Sequence, residues 1–326
     1  MRGSLALLSR LGDAGLFAPP LVFFAGLALP ALAQAGQVML VPCVVLLLAM
    51  SVGLAEPGRI LRSEWPPVLA LALCNLILTP LIVHAIAVGL GLSEAGGWLV
   101  LLAGCPAAGG AALLASLLRL PVRALLLAQL LCFFALPVTA PIIAALVLEG
   151  AVIDPLALSG RVLLMVGGPA LLGFLLRRAL CEQRRQLLAR PMRGMGVLAL
   201  CGIALSIAAG LAAGGVSAAG WDEAIIGVVL ASMVGAGVGL LAARLMDARL
   251  ASAFALGGAV RNVSLLWSAT TGIATPEGEL IMILGTLWTL LLPALIGLVP
   301  LRHVRLGRAL TVAILGLALV GSGSAP

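Results

Sequence analysis

The sequence predicts an all-α membrane protein: ten transmembrane helices in two inverted five-helix repeats, with helices 4 and 9 broken and crossing. Three observations carry this expectation. The 326 residues are 63% hydrophobic and only 10% charged, with a mean hydropathy of +1.24, whereas a soluble domain carries about 25% charged residues. The apolar residues run in continuous blocks and do not alternate as the strands of an outer-membrane barrel would. The basic residues fall on alternate loops. At about 30 residues per crossing and loop, this length holds roughly ten spans.

Ten apolar segments stand out, at residues 15–34, 37–55, 67–91, 97–118, 122–148, 156–178, 194–216, 223–246, 250–274 and 279–301. All 19 basic residues are Arg. Seventeen of them lie at the N-terminus, in the connections around Arg59, Arg119, Arg184 and Arg244, and after Arg302. The intervening connections carry acids instead: Glu94, Glu149, Asp154, Asp222, Glu223, Glu277 and Glu279. By the positive-inside rule this alternation places both termini in the cytoplasm and checks the number of segments independently. A Lys-free composition rich in Ala, Gly and Leu suits a GC-rich bacterial genome, so the expected location is a bacterial inner membrane. The net charge of +7 sits in short loops between apolar segments, which excludes nucleic acid as the partner and leaves the lipid bilayer. The six Cys include no CxxC pair, and neither a metal site nor a cofactor is expected. The N-terminus lacks a clear cleavage site and reads as a cytoplasmic lead-in. The apolar run 309–320 is too short to span and reads as an interfacial helix or tail.

The segments divide into a first repeat at 1–148, an outer loop at 149–155, a second repeat at 156–303 and a tail at 304–326, with the basic loop 177–193 inside the second repeat. An odd number of spans per half forces the halves into opposite orientations. Inverted repeats with interrupted helices are typical of secondary transporters. The fourth segment, GWLVLLAGCPAAGGAALLASLL, carries Gly104, Pro106, Gly109 and Gly110 at its middle. The ninth, ASAFALGGAVRNVSLLWSATTG, carries Gly257 and Gly258 followed by Arg261 and Asn262. Such breaks leave backbone groups unpaired and are tolerated where they line a protein or water cavity. Scattered glycines such as Gly235, Gly237 and Gly239 read as helix-packing positions.

The run AGCPAAGGAALLASLLRLPVRALLLAQLLCFFALPVTAPII resembles the fourth and fifth spans of the bile acid:sodium symporter family. GGAVRNVSLL resembles that family's ninth-span Gly-x-Gln-Asn-Ser segment, and CNLILTPLI its third-span Gln-x-x-x-x-Pro segment. The resemblance extends over nearly the whole chain. It implies a panel of segments 1, 2, 6 and 7, a core of the other six, a binding cavity between them, and transport of organic anions or, more distantly, arsenite. It also implies sodium ligands, and here the chain departs from the pattern. The Ser-Asn positions after the broken turn read Ala111 and Ala112, the fifth-span Ser and Thr positions read Leu125 and Gln129, the ninth-span acid falls at Gly257, and the neighbouring Gln falls at Arg261. Asn75 stands at the third-span Gln position. The oxygen cage that a hard cation needs is largely gone.

The residues themselves point the same way. No Asp or Glu lies in the central third of any segment, although intramembrane carboxylates commonly mark ion pathways. Arg261 is the single guanidinium deep in a segment, and Arg161 is shallower. A central Arg costs about 2.5–3.5 kcal/mol on insertion scales, and carbonyls, water or an anion must offset that cost. At about 5 Å and an effective dielectric of about 20, Arg261 would repel a bound Na⁺ by about 3.3 kcal/mol. Sodium is therefore not expected as a partner. The expected function is alternating-access transport of a small organic anion, with Arg261 supplying the positive charge that sodium supplies in the family. A tie between broken-helix carbonyls is the other role open to Arg261. The candidate substrate-binding residues are Asn75, Cys105, Gly109, Gly110, Ala111, Ala112, Gln129, Arg261, Asn262 and Ser264. His84 is a candidate proton-coupling group. Trp98, Trp221 and Trp288 mark interfaces or pack internally. With two His, no Tyr and no HExxH, GxSxG or P-loop, no enzyme is expected. A sodium-coupled symporter, a membrane receptor, a channel and an arsenite-type permease stay open as alternatives.

Overall fold

The computed structural model describes residues 17–54, 62–92, 94–108, 120–148, 153–180, 182–212 and 220–298, together with Leu8, Arg10, Gly15, Ala111 and Ala115. It is 88% helical, with no β-strand among the described residues. Among the described residues, six stretches are long and apolar enough to cross a membrane: Arg62–Gly89, Val122–Val147, Pro155–Ala179, Arg190–Ala212, Trp221–Met246 and Pro276–Ile296. They coincide with the third, fifth, sixth, seventh, eighth and tenth apolar segments. This is the build of an all-α membrane protein. The outer-loop residues 149–152 and the run 309–320 lie outside the described residues.

In the other four segments the described residues form shorter helices. The first contains α1 (Ala18–Ala28) and α2 (Pro30–Gly36). Between them Leu29 is extended (φ −123°, ψ 96°), because a residue before proline is pushed out of the helical region. Sequence reading took this segment as unbroken, so the interruption at Leu29 is a finding of the structure. The second segment holds α3 (Leu40–Leu54), the fourth holds α6 (Glu94–Ala103), and the ninth holds α11 (Ala251–Ala259) and α12 (Val263–Thr270).

Prolines shape the long helices too. The third segment is α4 (Trp65–Leu73), a π-helical turn (Cys74–Leu78) and α5 (Thr79–Gly89). Pro80 has no N–H to donate, and the turn before it widens. Thr79 gives both its N–H and its hydroxyl to Cys74 O, the hydroxyl at 2.8 Å. In α7 (Val122–Val147), Pro141 leaves the carbonyl of Pro137 without its helical donor. Ser159 of α8 (Pro155–Ala179) fills the gap with its hydroxyl, 2.8 Å from Pro137 O. The remaining helices are α9 (Glu182–Ala212), α10 (Trp221–Met246) and α13 (Pro276–Leu298).

The chain forms two compact units, one of Met1–Glu56 and Arg161–Val216 and the other of Pro57–Gly160 and Ser217–Pro326. They interleave along the chain and do not follow the halves 1–148 and 156–303. In the first unit α9 packs on α1, α2 and α3. Backbones approach closely there: a Cβ on Gly36 would strike the Leu205 carbonyl, and the Ser206 hydroxyl donates to Gly36 O at 2.9 Å. In the second unit α10 packs along α11, and α13 contacts α6, α10 and α12. Trp98 is buried there, its ring against Gly278, which makes it a packing residue. At one end of this unit Arg123 pairs with Glu64 at 2.8 Å.

Candidate functional site

Both predicted interruptions lie in the second unit, and they meet. After α6 the chain turns at Gly104 and Cys105. Between α11 and α12, Val260 is extended (φ −99°, ψ 98°) and Asn262 leaves the helical region (φ −83°, ψ 63°). Ala107 and Arg261 then pair as an isolated antiparallel bridge. Ala108 donates its N–H to Val260 O at 2.9 Å, and Asn262 donates its N–H to Pro106 O at 2.8 Å.

Five backbone carbonyls where these two segments meet find donors, as burial without water demands. Ala259 O accepts from the Ser232 hydroxyl of α10 at 2.8 Å. Val260 O is taken by Ala108. Arg261 O accepts from the Thr289 hydroxyl of α13 at 2.8 Å. Pro106 O is taken by Asn262, and Cys105 O accepts from Arg261 Nη1 at 3.0 Å. Hydroxyls of α10 and α13 thus brace the two paired, non-helical segments. Sequence reading missed Ser232 and Thr289. The visible trace of Ser232 is its place on the same face of α10 as Gly235 and Gly239, three and seven residues on. Thr289 had no such trace beyond being a hydroxyl in an apolar run.

Arg261 is 2% exposed. One nitrogen is used on Cys105 O, while Nε and Nη2 are buried with no hydrogen-bond partner. These two form one edge of the guanidinium, the fork that matches the two oxygens of a carboxylate. No acid among the described residues pairs with Arg261; the ion pair Arg123–Glu64 is separate. Asn75, in the π-helical turn, and Gln129, on α7, are also buried, and each leaves its side-chain oxygen unpaired. The thiols next to them, Cys74 and Cys132, are in electrostatic reach of Arg261, as is Cys105. Thr139 Oγ1 and Trp288 Nε1 are two further buried donors without partners.

The other predicted residues divide clearly. Cys105 is fully buried, and its carbonyl rather than its thiol serves the crossing, since the thiol faces Leu101 O at 3.8 Å. Asn262 Oδ1 accepts from the Ser264 hydroxyl at 3.1 Å, which places both at the start of α12. Ala111 is buried, with its N–H on Ala108 O at 2.9 Å. Gly109, Gly110 and Ala112 lie outside the described residues. His84 is exposed on α5 and takes no part in the buried cluster. Where the resemblance implies a cation cage, apolar groups touch: a Cβ on Gly257 would meet Leu125 Cδ1 and lie 3.8 Å from the Ala107 Cβ. Among the described residues no group of three His, Cys, Asp or Glu could hold a metal ion. No family model matches this chain, and no curated protein matches it.

Thr289→Val keeps the shape and removes the donor, leaving Arg261 O buried and unpaired. That costs about 1–3 kcal/mol and is expected as a lower thermal midpoint in detergent. An unchanged midpoint would show that water or another group replaces the hydroxyl.

Proposed function

We propose that this protein is a secondary transporter that moves a small organic anion across a bacterial inner membrane by alternating access, without sodium. The observation that carries this reading is the open Nε–Nη2 edge of Arg261, buried at the crossing of two interrupted helices. A buried cation without a counter-ion is costly, and an anion is the ligand that offsets the cost. Broken helices that meet at mid-span are the architecture in which transporters place such sites. Ten crossings are consistent with the six long helices plus four segments made of shorter ones. One unit holds segments 1, 2, 7 and most of 6, and the other holds the rest, a grouping that supports the resemblance to the bile acid:sodium symporter family.

Sodium independence rests on two further features. Leu125 and Gly257 stand in apolar contact where the resemblance puts cation ligands. Arg261 occupies the same neighbourhood with a fixed positive charge. On this reading the protein is a carrier and not an enzyme, with the bilayer and a small anion as partners.

Counterflow in proteoliposomes tests this reading. Vesicles loaded with a panel of organic anions should take up the labelled anion transiently above equilibrium, at the same rate with sodium or choline outside and the membrane potential clamped. Uptake that climbs steeply with sodium would overturn sodium independence. Binding without flux would make the protein a receptor, and flux without counterflow a channel.

A further inference from the structure

We infer that the ligand is a carboxylate that also carries a hydrogen-bond donor, a hydroxyl or an amide N–H, gripped by Arg261 at one end and by Asn75 and Gln129 at the other. This rests on the anion-transport reading and narrows its substrate class. The basis is a mismatch inside the second unit. Arg261 offers two buried donors with nothing to receive them, Nε and Nη2, while Asn75 Oδ1 and Gln129 Oε1 are two buried acceptors with nothing to accept. Side chains that could satisfy one another do not. Arg261 is tethered through Nη1 to Cys105 O, and the amides are held on separate elements, the π-helical turn and α7.

The elements that carry them converge. Leu125 of α7 packs on Gly257 of α11, four residues before Arg261 and just ahead of the break, and Gln129 lies one turn beyond Leu125 on the same face of α7. The π-helical turn packs against both α7 and α10, and Nη2 of Arg261 lies against Gly235 of α10, 2.8 Å from where a Cβ would stand. An inserted residue that makes a π-helical turn redirects the side chains around it and recurs at functional sites, and Asn75 sits inside that turn.

One molecule satisfies all four atoms only if it has both kinds of group. A purely aliphatic acid would fill the fork and leave two amide oxygens buried and bare. A site built to pair with a hydroxyl discriminates strongly against the analogue that lacks it.

The test uses the full-length protein in detergent and matched pairs of acids that differ by one donor. Suitable probes are propionate against lactate, butyrate against 3-hydroxybutyrate, and valerate against glutaramate. Affinity is read by calorimetry. In at least one pair the donor-bearing acid is expected to bind about tenfold tighter or better. Gln129→Met and Asn75→Leu, singly and together, are expected to shrink that ratio towards one. The inference is overturned if plain and donor-bearing acids bind wild type equally, or if the preference survives in the double variant. The wild-type comparison needs no variant to fold. If no carboxylate of either kind binds, and counterflow is also absent, the underlying anion reading goes with it. Equal binding of both kinds removes only the donor requirement.

Discussion

Arg261→Gln is expected to lose carboxylate binding by about a hundredfold or more and to gain no sodium dependence. The first part follows from the fork. A hydrogen bond to a charged group contributes about 1.5–3 kcal/mol, and the Nε–Nη2 edge can make two of them, so losing both removes about 3–6 kcal/mol, more than the roughly 2.7 kcal/mol that corresponds to a hundredfold in affinity. The second part follows from the surroundings. Gln is the residue that the family resemblance places at this position, yet Leu125 lies against Gly257 and Ala111 is fully buried, so one amide restores no cage for a hard cation. Arg261→Lys separates charge from geometry: the ammonium keeps the positive charge but cannot present a planar fork, and an intermediate affinity is expected. Folding should survive in each case. Removing the guanidinium relieves the insertion cost of about 2.5–3.5 kcal/mol, and it leaves Cys105 O without its donor at about 1–3 kcal/mol. The two nearly cancel. The measurement is ligand-induced thermal stabilisation across a panel of carboxylates, with and without sodium. Stabilisation of Arg261→Gln equal to wild type would reduce Arg261 to a tie between the two interrupted helices.

How far the sequence spoke depended on the physics behind each feature. Length and hydropathy are set by the bilayer, and the helical content and the six long helices among the described residues agree with them. The breaks at Pro106 and around Arg261 were legible because Gly, Pro and a lone cation in apolar runs are costly anywhere else. Their pairing through Ala107 and Arg261 depends on tertiary placement, which no local pattern encodes. Leu29–Pro30 carried the same local evidence as the other breaks and passed unnoticed because apolar residues continue on both sides. Hydroxyls that reach across to carbonyls, as Ser159, Ser232 and Thr289 do, cannot be told from hydroxyls bonded within their own helix. His84, a residue type suited to proton transfer, stands exposed on α5.

Gly235→Ala and Gly258→Ala are expected to be the most damaging single-methyl changes in the second unit. A Cβ at 235 would run into the carbonyl of Gly258, and one at 258 into the carbonyl of Gly235, while Gly239 faces the Phe254 carbonyl in the same way. Such a clash with backbone cannot be relieved by rotating a side chain, so α10 and α11 must part. Overpacking costs about 1–3 kcal/mol where side chains can yield, and here the upper end or more is expected. Gly237→Ala is the internal control. That position is exposed with nothing within 4 Å of a Cβ, and replacing a mid-helix glycine with alanine stabilises by about 0.5–1 kcal/mol. Thermal midpoints in detergent should therefore fall steeply for 235 and 258 and hold or rise for 237. The consequence for the site is larger than the loss of stability. Close approach of α10 to α11 is what lets Ser232 reach Ala259 O at 2.8 Å and brings Gly235 against Arg261 Nη2, so any variant at 235 or 258 that still folds should hold the guanidinium in the wrong place and bind carboxylates weakly. A folded Gly258→Ala protein with wild-type carboxylate affinity would show that the position of Arg261 is set by the α6 side of the crossing alone, through Cys105 O.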